Sequence, residues 1–171
     1  DIEVTLYRMP KGEPTTDFLQ SCLQLVITSR CDGIVAIGGG SALDLGKAVA
    51  ALALNKELSV SELAQMSSIK RLPFIAVPTT AGTGSEATKV TVITDSAKGI
   101  KLNPGHPDLV PDIAILDPVL TLGVPNHITA FTGIDALTHA IEAYVSTKAT
   151  ILSDLYALQA IEMITANIIK A

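Results

Sequence analysis

The sequence predicts an α/β domain built on a parallel sheet, leading into the start of an all-helical domain. Short apolar, β-branched runs at Ile34–Ile37, Phe74–Val77 and Ile113–Leu116 alternate with longer stretches of helical period. A glycine triplet stands between the first of these runs and the helix after it. Beyond Asp117-Pro118 the strand signals cease and only helical stretches follow. The expected domains are 1–117, α/β, and 118–171, all-helical.

In chain order, Ile2–Tyr7 alternates as a strand does, and Lys11-Gly-Glu-Pro14 reads as a loop. Thr16–Arg30 reads as a helix, with Phe18, Cys22, Leu25 and Val26 on its apolar side. Ile34–Ile37 suits a strand buried on both faces. Ser41 is placed to cap a helix running to Leu54. Ser59 and Glu62 form a capping box for a short helix, with Leu58 and Leu63 as its hydrophobic staple. Phe74–Val77 is a strand. Thr88–Thr94 alternates, and Asp95–Gly99 turns it into Ile100–Leu102, which predicts a hairpin. Ile113–Leu116 reads as another buried strand. Helices are predicted over Asn126–Val145 and Ile151–Lys170, the latter apolar on most faces and so expected to be covered.

Composition narrows the function classes. The 171 residues carry a net charge of −5, with no basic cluster, which argues against nucleic acid. Hydrophobic residues make up 48% and mean hydropathy is +0.44, yet no apolar stretch reaches the length of a membrane span. Asp1-Ile-Glu-Val4 is not a secretory leader. Cys22 and Cys31 bracket an apolar helical stretch and read as reduced, buried residues of a cytoplasmic protein.

Three segments carry chemistry. Gly38, Gly39 and Gly40 remove every Cβ from a strand-to-helix turn, and the free N–H groups of the helix start form an anion site suited to pyrophosphate. The context is Rossmann-like, but the GxGxxG fingerprint is absent, and a tight connection without ligand explains the triplet equally well. Pro78-Thr-Thr-Ala-Gly-Thr-Gly-Ser-Glu86 sets four hydroxyls and two glycines directly after a buried strand. Such a loop can wrap phosphate, ribose or amide groups, and ligand contact is the preferred reading. Asp135 and His139 are four apart on one helix, so a carboxylate and an imidazole aim at one point. That is half of a divalent-metal site suited to Fe(II) or Zn(II). On these residues alone, an Asp–His hydrogen bond accounts for the pair more often than a metal does. His106, in the turn-rich Asn103-Pro-Gly-His-Pro-Asp108, reads as a solvated histidine, and His127 lies at a helix start. No Ser–His–Asp or Cys–His nucleophile arrangement is legible.

Taken together, Gly38-Gly-Gly-Ser-Ala-Leu-Asp44, the Pro78–Glu86 loop, Pro111-Asp-Ile-Ala-Ile-Leu-Asp-Pro118 and Gly133-Ile-Asp-Ala-Leu-Thr-His-Ala-Ile-Glu142 resemble the iron-containing alcohol dehydrogenase family. Gly12-Glu-Pro14, Leu63-Ala-Gln-Met66 and Val124-Pro-Asn-His-Ile128 resemble its bacterial ethanol-utilisation branch. The resemblance implies a dehydroquinate synthase-like fold whose first strand precedes Asp1 and whose helical half continues past Ala171. It implies NAD or NADP as cofactor, held by Glu13, Gly38, Gly39, Gly40, Ser41, Asp44, Thr79, Thr80, Thr83, Thr88, Lys101 and Leu120. It implies Fe(II), or Zn(II), on Asp135 and His139, with two further ligands beyond this stretch. The implied activity is metal-assisted hydride transfer between small alcohols and aldehydes, by a homo-oligomer when full length. This stretch alone is expected to be inactive. Two other readings stand beside it: a non-catalytic remnant that keeps the fold, and a glycerol dehydrogenase-like or dehydroquinate synthase-like enzyme. The Pro78–Glu86 loop is similar to the alcohol dehydrogenase version. The family's acidic ribose-reading residue follows the first strand, which leaves NAD and NADP both open.

Overall fold

The computed structural model describes residues 2–170. Asp1 and Ala171, the outer ends of the two expected domains, lie outside the described residues. The described chain forms two compact units. One comprises the residues up to Pro78 with Ser85–Asp117; the other comprises Thr79–Gly84 with the residues from Pro118 onward.

The first unit holds a parallel sheet of β1 (Ile34–Gly38), β2 (Phe74–Pro78) and β5 (Ile113–Ala114), in the order β1-β2-β5. Ile34 pairs with Phe74 and Ile75 with Ile113. Helix α1 (Thr16–Thr28) starts at Thr15, whose hydroxyl accepts from Phe18 N. It stops two residues short of the expected Arg30, because Arg30 turns left-handed at φ 53° and Cys31 N–H reaches back to Val26 O. Helix α2 (Gly40–Leu52) is the centre of the core, with Leu43, Ala48, Val49, Ala50 and Ala51 at most 1% exposed. Each such large aliphatic contributes roughly 1.5–3 kcal/mol through burial. Gly46 lets α2 lie against the sheet: a Cβ there would stand 2.7 Å from the Phe74 ring and 2.8 Å from Ala36 Cβ.

Several expectations are corrected in this unit. Ile2–Tyr7 is not a strand, and Ile2, Val4 and Leu6 are exposed. A strand needs a neighbour for its N–H and C=O groups, and no described strand pairs with it. The sheet is covered on one face only among the described residues, since Val35 is 60% and Ile37 64% exposed while Ala36 is buried under α2. Ile113 and Leu116 are likewise exposed, and β5 is only two residues long. The hairpin forms from β3 (Ile93–Asp95) and β4 (Ile100–Leu102), but 88–92 is not strand. There Thr91 N–H bonds Pro104 O, and Lys89 O accepts from His106 N–H. The capping box at Ser59 forms, with Glu62 Oε2 accepting from Ser59 N at 2.8 Å, but it opens a 3₁₀ helix over Val60–Gln65.

The second unit pairs α3 (Asn126–Val145) with α4 (Ile151–Asn167). Thr150 caps α4 by accepting from Ser153 N. Gly133 of α3 admits the Ile168 side chain, which would lie 3.0 Å from a Cβ there. The outer face of α4 is apolar and exposed at Leu152, Leu155 and Tyr156.

Candidate nucleotide and metal site

The glycine turn closes β1 onto α2. Gly38 has φ +155°, and a Cβ on it would come 2.7 Å from Ala42 Cβ, so a side chain is excluded on both counts. The helix cap is Gly39, not Ser41: Gly39 is extended (φ −76°, ψ −175°) and its carbonyl accepts from Ala42 N and Leu43 N. Ser41 sits inside the first turn. The geometry favours this because a residue without Cβ can both end the strand and start the helix. The N–H groups of Gly40 and Ser41 have no carbonyl one turn back, and Gly38 to Ser41 are all part-exposed. That is a cradle for an anionic group.

Asp44, one turn further on, is turned into the unit. Its Oδ1 accepts from Ser85 Oγ at 2.6 Å and its Oδ2 from Val92 N at 3.1 Å. Burial pushes its carboxyl up, against the Ser85 hydrogen bond that pulls it down. Lys47, a residue the sequence reasoning passed over, is 1% exposed. Its Nζ donates to Thr88 Oγ1 at 3.1 Å and Val90 O at 2.8 Å, and lies 3.7 Å from Asp44 Oδ1. Burial pulls the Lys47 ammonium down, and Asp44 opposes that. The available signal was Asp44-x-x-Lys47, an acid and a base one helical turn apart.

Glu13 and Lys101 meet each other. Lys101 Nζ donates to Glu13 Oε1 at 2.6 Å, and Thr94 Oγ1 donates to Glu13 Oε2 at 3.2 Å. The Lys101 hydrogen bond, then the Thr94 one, holds the Glu13 carboxyl below its ordinary value. Both side chains remain more than half exposed. An open depression at Ile69, Arg71, Pro73, Asp108 and Asp112 contains none of the sequence-predicted residues. The five guanidinium N–H groups of Arg71 are spent there on Asp108 O, Leu72 O, Val110 O and both Asp112 carboxylate oxygens. His106 is corrected from solvated to buried, at 7% exposure. Its Nδ1 accepts from Asp108 N and its Nε2 lies 3.1 Å from Met66 O, which makes it a neutral Nε2–H tautomer holding a loop.

In the second unit, Thr79, Thr80 and Thr83 are half-buried, and Leu120 lies in a 3₁₀ turn over Pro118–Thr121. Gly82 presses on α3 at Thr132. On α3, Asp135 Oδ1 and His139 Nε2 stand 3.5 Å apart with both side chains about half exposed. The two predicted donors therefore converge. Among the described residues no cluster of three or more His, Cys, Asp or Glu side chains could hold a metal. His127 packs edge-on against Phe131.

The family model described as iron-containing alcohol dehydrogenase matches residues 1–118, and that described as the C-terminal part of the same family matches 129–171. The chain belongs to the iron-containing alcohol dehydrogenase family.

It is 50% identical over 171 residues to the Escherichia coli (strain K12) protein named "Probable alcohol dehydrogenase EutG", covering 99% of this chain and 43% of that one. The solved structure of an iron containing alcohol dehydrogenase superposes with a TM-score of 0.86 at 38% identity, over 94% of this chain and 44% of that one. A sulfoacetaldehyde reductase from Bifidobacterium kashiwanohense, solved in complex with NAD+, superposes with a TM-score of 0.83 at 38% identity, over 90% and 42%. The chain thus spans less than half the length of these relatives. Its fold is the α/β-plus-helical fold of this enzyme family. The family name implies iron. A carboxylate oxygen and an imidazole nitrogen 3.5 Å apart suit a first-row divalent ion, and they fill two positions of its shell.

Proposed function

We propose that this chain forms the nucleotide-binding domain, residues 1–117, and from 118 the start of the metal-binding helical domain, of a cytoplasmic alcohol dehydrogenase. The enzyme uses NAD or NADP with a divalent metal, Fe(II) or Zn(II), and interconverts small alcohols and aldehydes. The observation that carries the reading is the convergence of Asp135 Oδ1 and His139 Nε2 on α3, in a chain matched by its family at both ends. The NAD+ in the sulfoacetaldehyde reductase structure supports the cofactor. Among the described residues no helix is long and apolar enough to cross a membrane.

Gly38, Gly39, Gly40 and Ser41 receive the pyrophosphate on the N–H groups of the α2 start. Thr79, Thr80 and Thr83 offer hydroxyls to the nucleotide, and Thr88 is held in place by Lys47. Lys101 supplies positive charge and Glu13 orients it. Asp135 and His139 hold the metal, whose bound form supplies Lewis acidity while the nicotinamide supplies the hydride acceptor, so that the carbinol carbon loses hydride, the hydroxyl loses a proton and an aldehyde results.

The test is NADH formation from short-chain alcohols by the complete protein, before and after chelation and with Fe(II) or Zn(II) restored. Activity that falls with chelation and returns with metal is expected. Activity indifferent to chelation, or none with any nicotinamide cofactor, contradicts the reading.

A further inference from the structure

We propose that Gly82 is a positioning residue for hydride transfer: its bare backbone seats the Thr79–Thr83 loop directly on α3, one turn ahead of Asp135. The inference rests on the function proposed above and deepens it, because it joins the nucleotide-facing loop to the metal-facing helix through one contact within a single compact unit.

The contact leaves no room for a side chain. An ideal Cβ on Gly82 would stand 2.5 Å from Thr132 O, 2.7 Å from Thr132 Cβ and 2.9 Å from Thr132 Cα. Carbonyl and Cα are helix backbone and cannot rotate aside. Thr132 Oγ1 is committed to Ile128 O and Thr129 O at 2.9 and 3.2 Å, so the side chain also stays within the helix. Conformation does not demand glycine here, for Gly82 is outside the group of positive-φ glycines that includes Gly84 at +63°. The close approach alone demands it. Gly84 shows the opposite case, a positive φ with nothing within 4 Å. The loop therefore turns at Gly84 and rests at Gly82.

The consequence is geometric. Asp135 and His139 stand on the helix that Gly82 touches, and Thr79, Thr80 and Thr83 flank Gly82 in the loop. Hydride transfer needs its two carbons about 3–3.5 Å apart, and a 1 Å misplacement can cost about a hundredfold in rate. A methyl on Gly82 displaces the loop from α3 by about that distance, while each half keeps its own side chains.

Two readouts test this. Amide hydrogen exchange over 79–84 needs neither cofactor nor metal. Single-turnover oxidation of an alcohol by the complete protein gives a rate constant for the step, while its amplitude gives the folded fraction. Gly82→Ala should speed loop exchange and lower the rate constant about tenfold or more with the amplitude kept. Gly123→Ala adds the same methyl in the same unit where nothing lies within 4 Å, and should leave both unchanged. Thr132→Gly opens a gap under Gly82 instead of a clash, and should slow the same step severalfold; it decides the matter where Gly82→Ala fails to accumulate. Parental rate constants in these variants overturn the proposal, whatever the exchange shows. If the parent has no nicotinamide-linked turnover, the functional reading fails, and loop exchange unchanged by Gly82→Ala then overturns the contact as well.

Discussion

Lys47 Nζ and Asp44 Oδ1 lie 3.7 Å apart inside the α/β unit, with the lysine side chain fully buried and the aspartate 13% exposed. The pair ties α2 to the segment that carries Ser85, Thr88 and Val92. It therefore fixes the wall behind the glycine turn, not the turn itself.

Lys47→Met should leave Asp44 buried without its cation, at a cost of about 3–5 kcal/mol. The double variant Asp44→Asn/Lys47→Met should recover part of that loss. Urea unfolding of the three proteins measures both. Equal midpoints for parent and Lys47→Met would show that the pair contributes nothing.

Gly39→Val should weaken NADH binding by about tenfold or more, about 1.4 kcal/mol. The backbone at Gly39 is extended, which valine adopts without strain, so far-UV circular dichroism should not change. Calorimetry showing equal affinity would remove the pyrophosphate from this turn.

Asp112 is held below its ordinary value of 3.8, first by the Arg71 hydrogen bonds and then by Phe74 N–H. A carboxyl depressed in the folded state contributes stability above its unfolded pKa and loses it as pH falls through the folded one. Asp112→Asn should thus lower stability near neutral pH and flatten the acid limb below about pH 4. Denaturation midpoints taken across that range would show parallel acid limbs if the pair is inert.

Burial, with Cys31 nearby as a smaller cause, pushes the Cys22 thiol up to about 11. At pH 8 its thiolate fraction is then about one in a thousand. Cys31, half-buried, should be alkylated first in the native protein, and Cys22 only on unfolding. Peptide mass spectrometry after timed iodoacetamide treatment reads the order, and prior labelling of Cys22 would contradict it.

Elements whose signal is local were legible in the sequence. Asn126–Val145 forms over the bounds expected of it, and the Ser59–Glu62 box closes as its spacing implies. Elements that depend on a partner were not. Ile2–Tyr7 has strand alternation but no strand beside it, and Val35 and Ile37 lack a cover that their composition leads one to expect. His106 is buried by Met66, forty positions away, and nothing in its own loop announces that. At the candidate site the sequence named the paired donors of α3, because an i, i+4 spacing is enough to bring them together. It missed Lys47 and the Gly82 seat, since both depend on which segments fold against α2 and α3.

The central claim is that Asp135 and His139 hold the metal on which alcohol oxidation depends, and elemental analysis of the dialysed complete protein beside its His139→Ala variant tests it most directly. About one Fe or Zn per chain is expected in the parent, with metal and NAD-linked activity lost together in His139→Ala. Full metal content in His139→Ala, or activity that survives the loss of metal, would contradict the account.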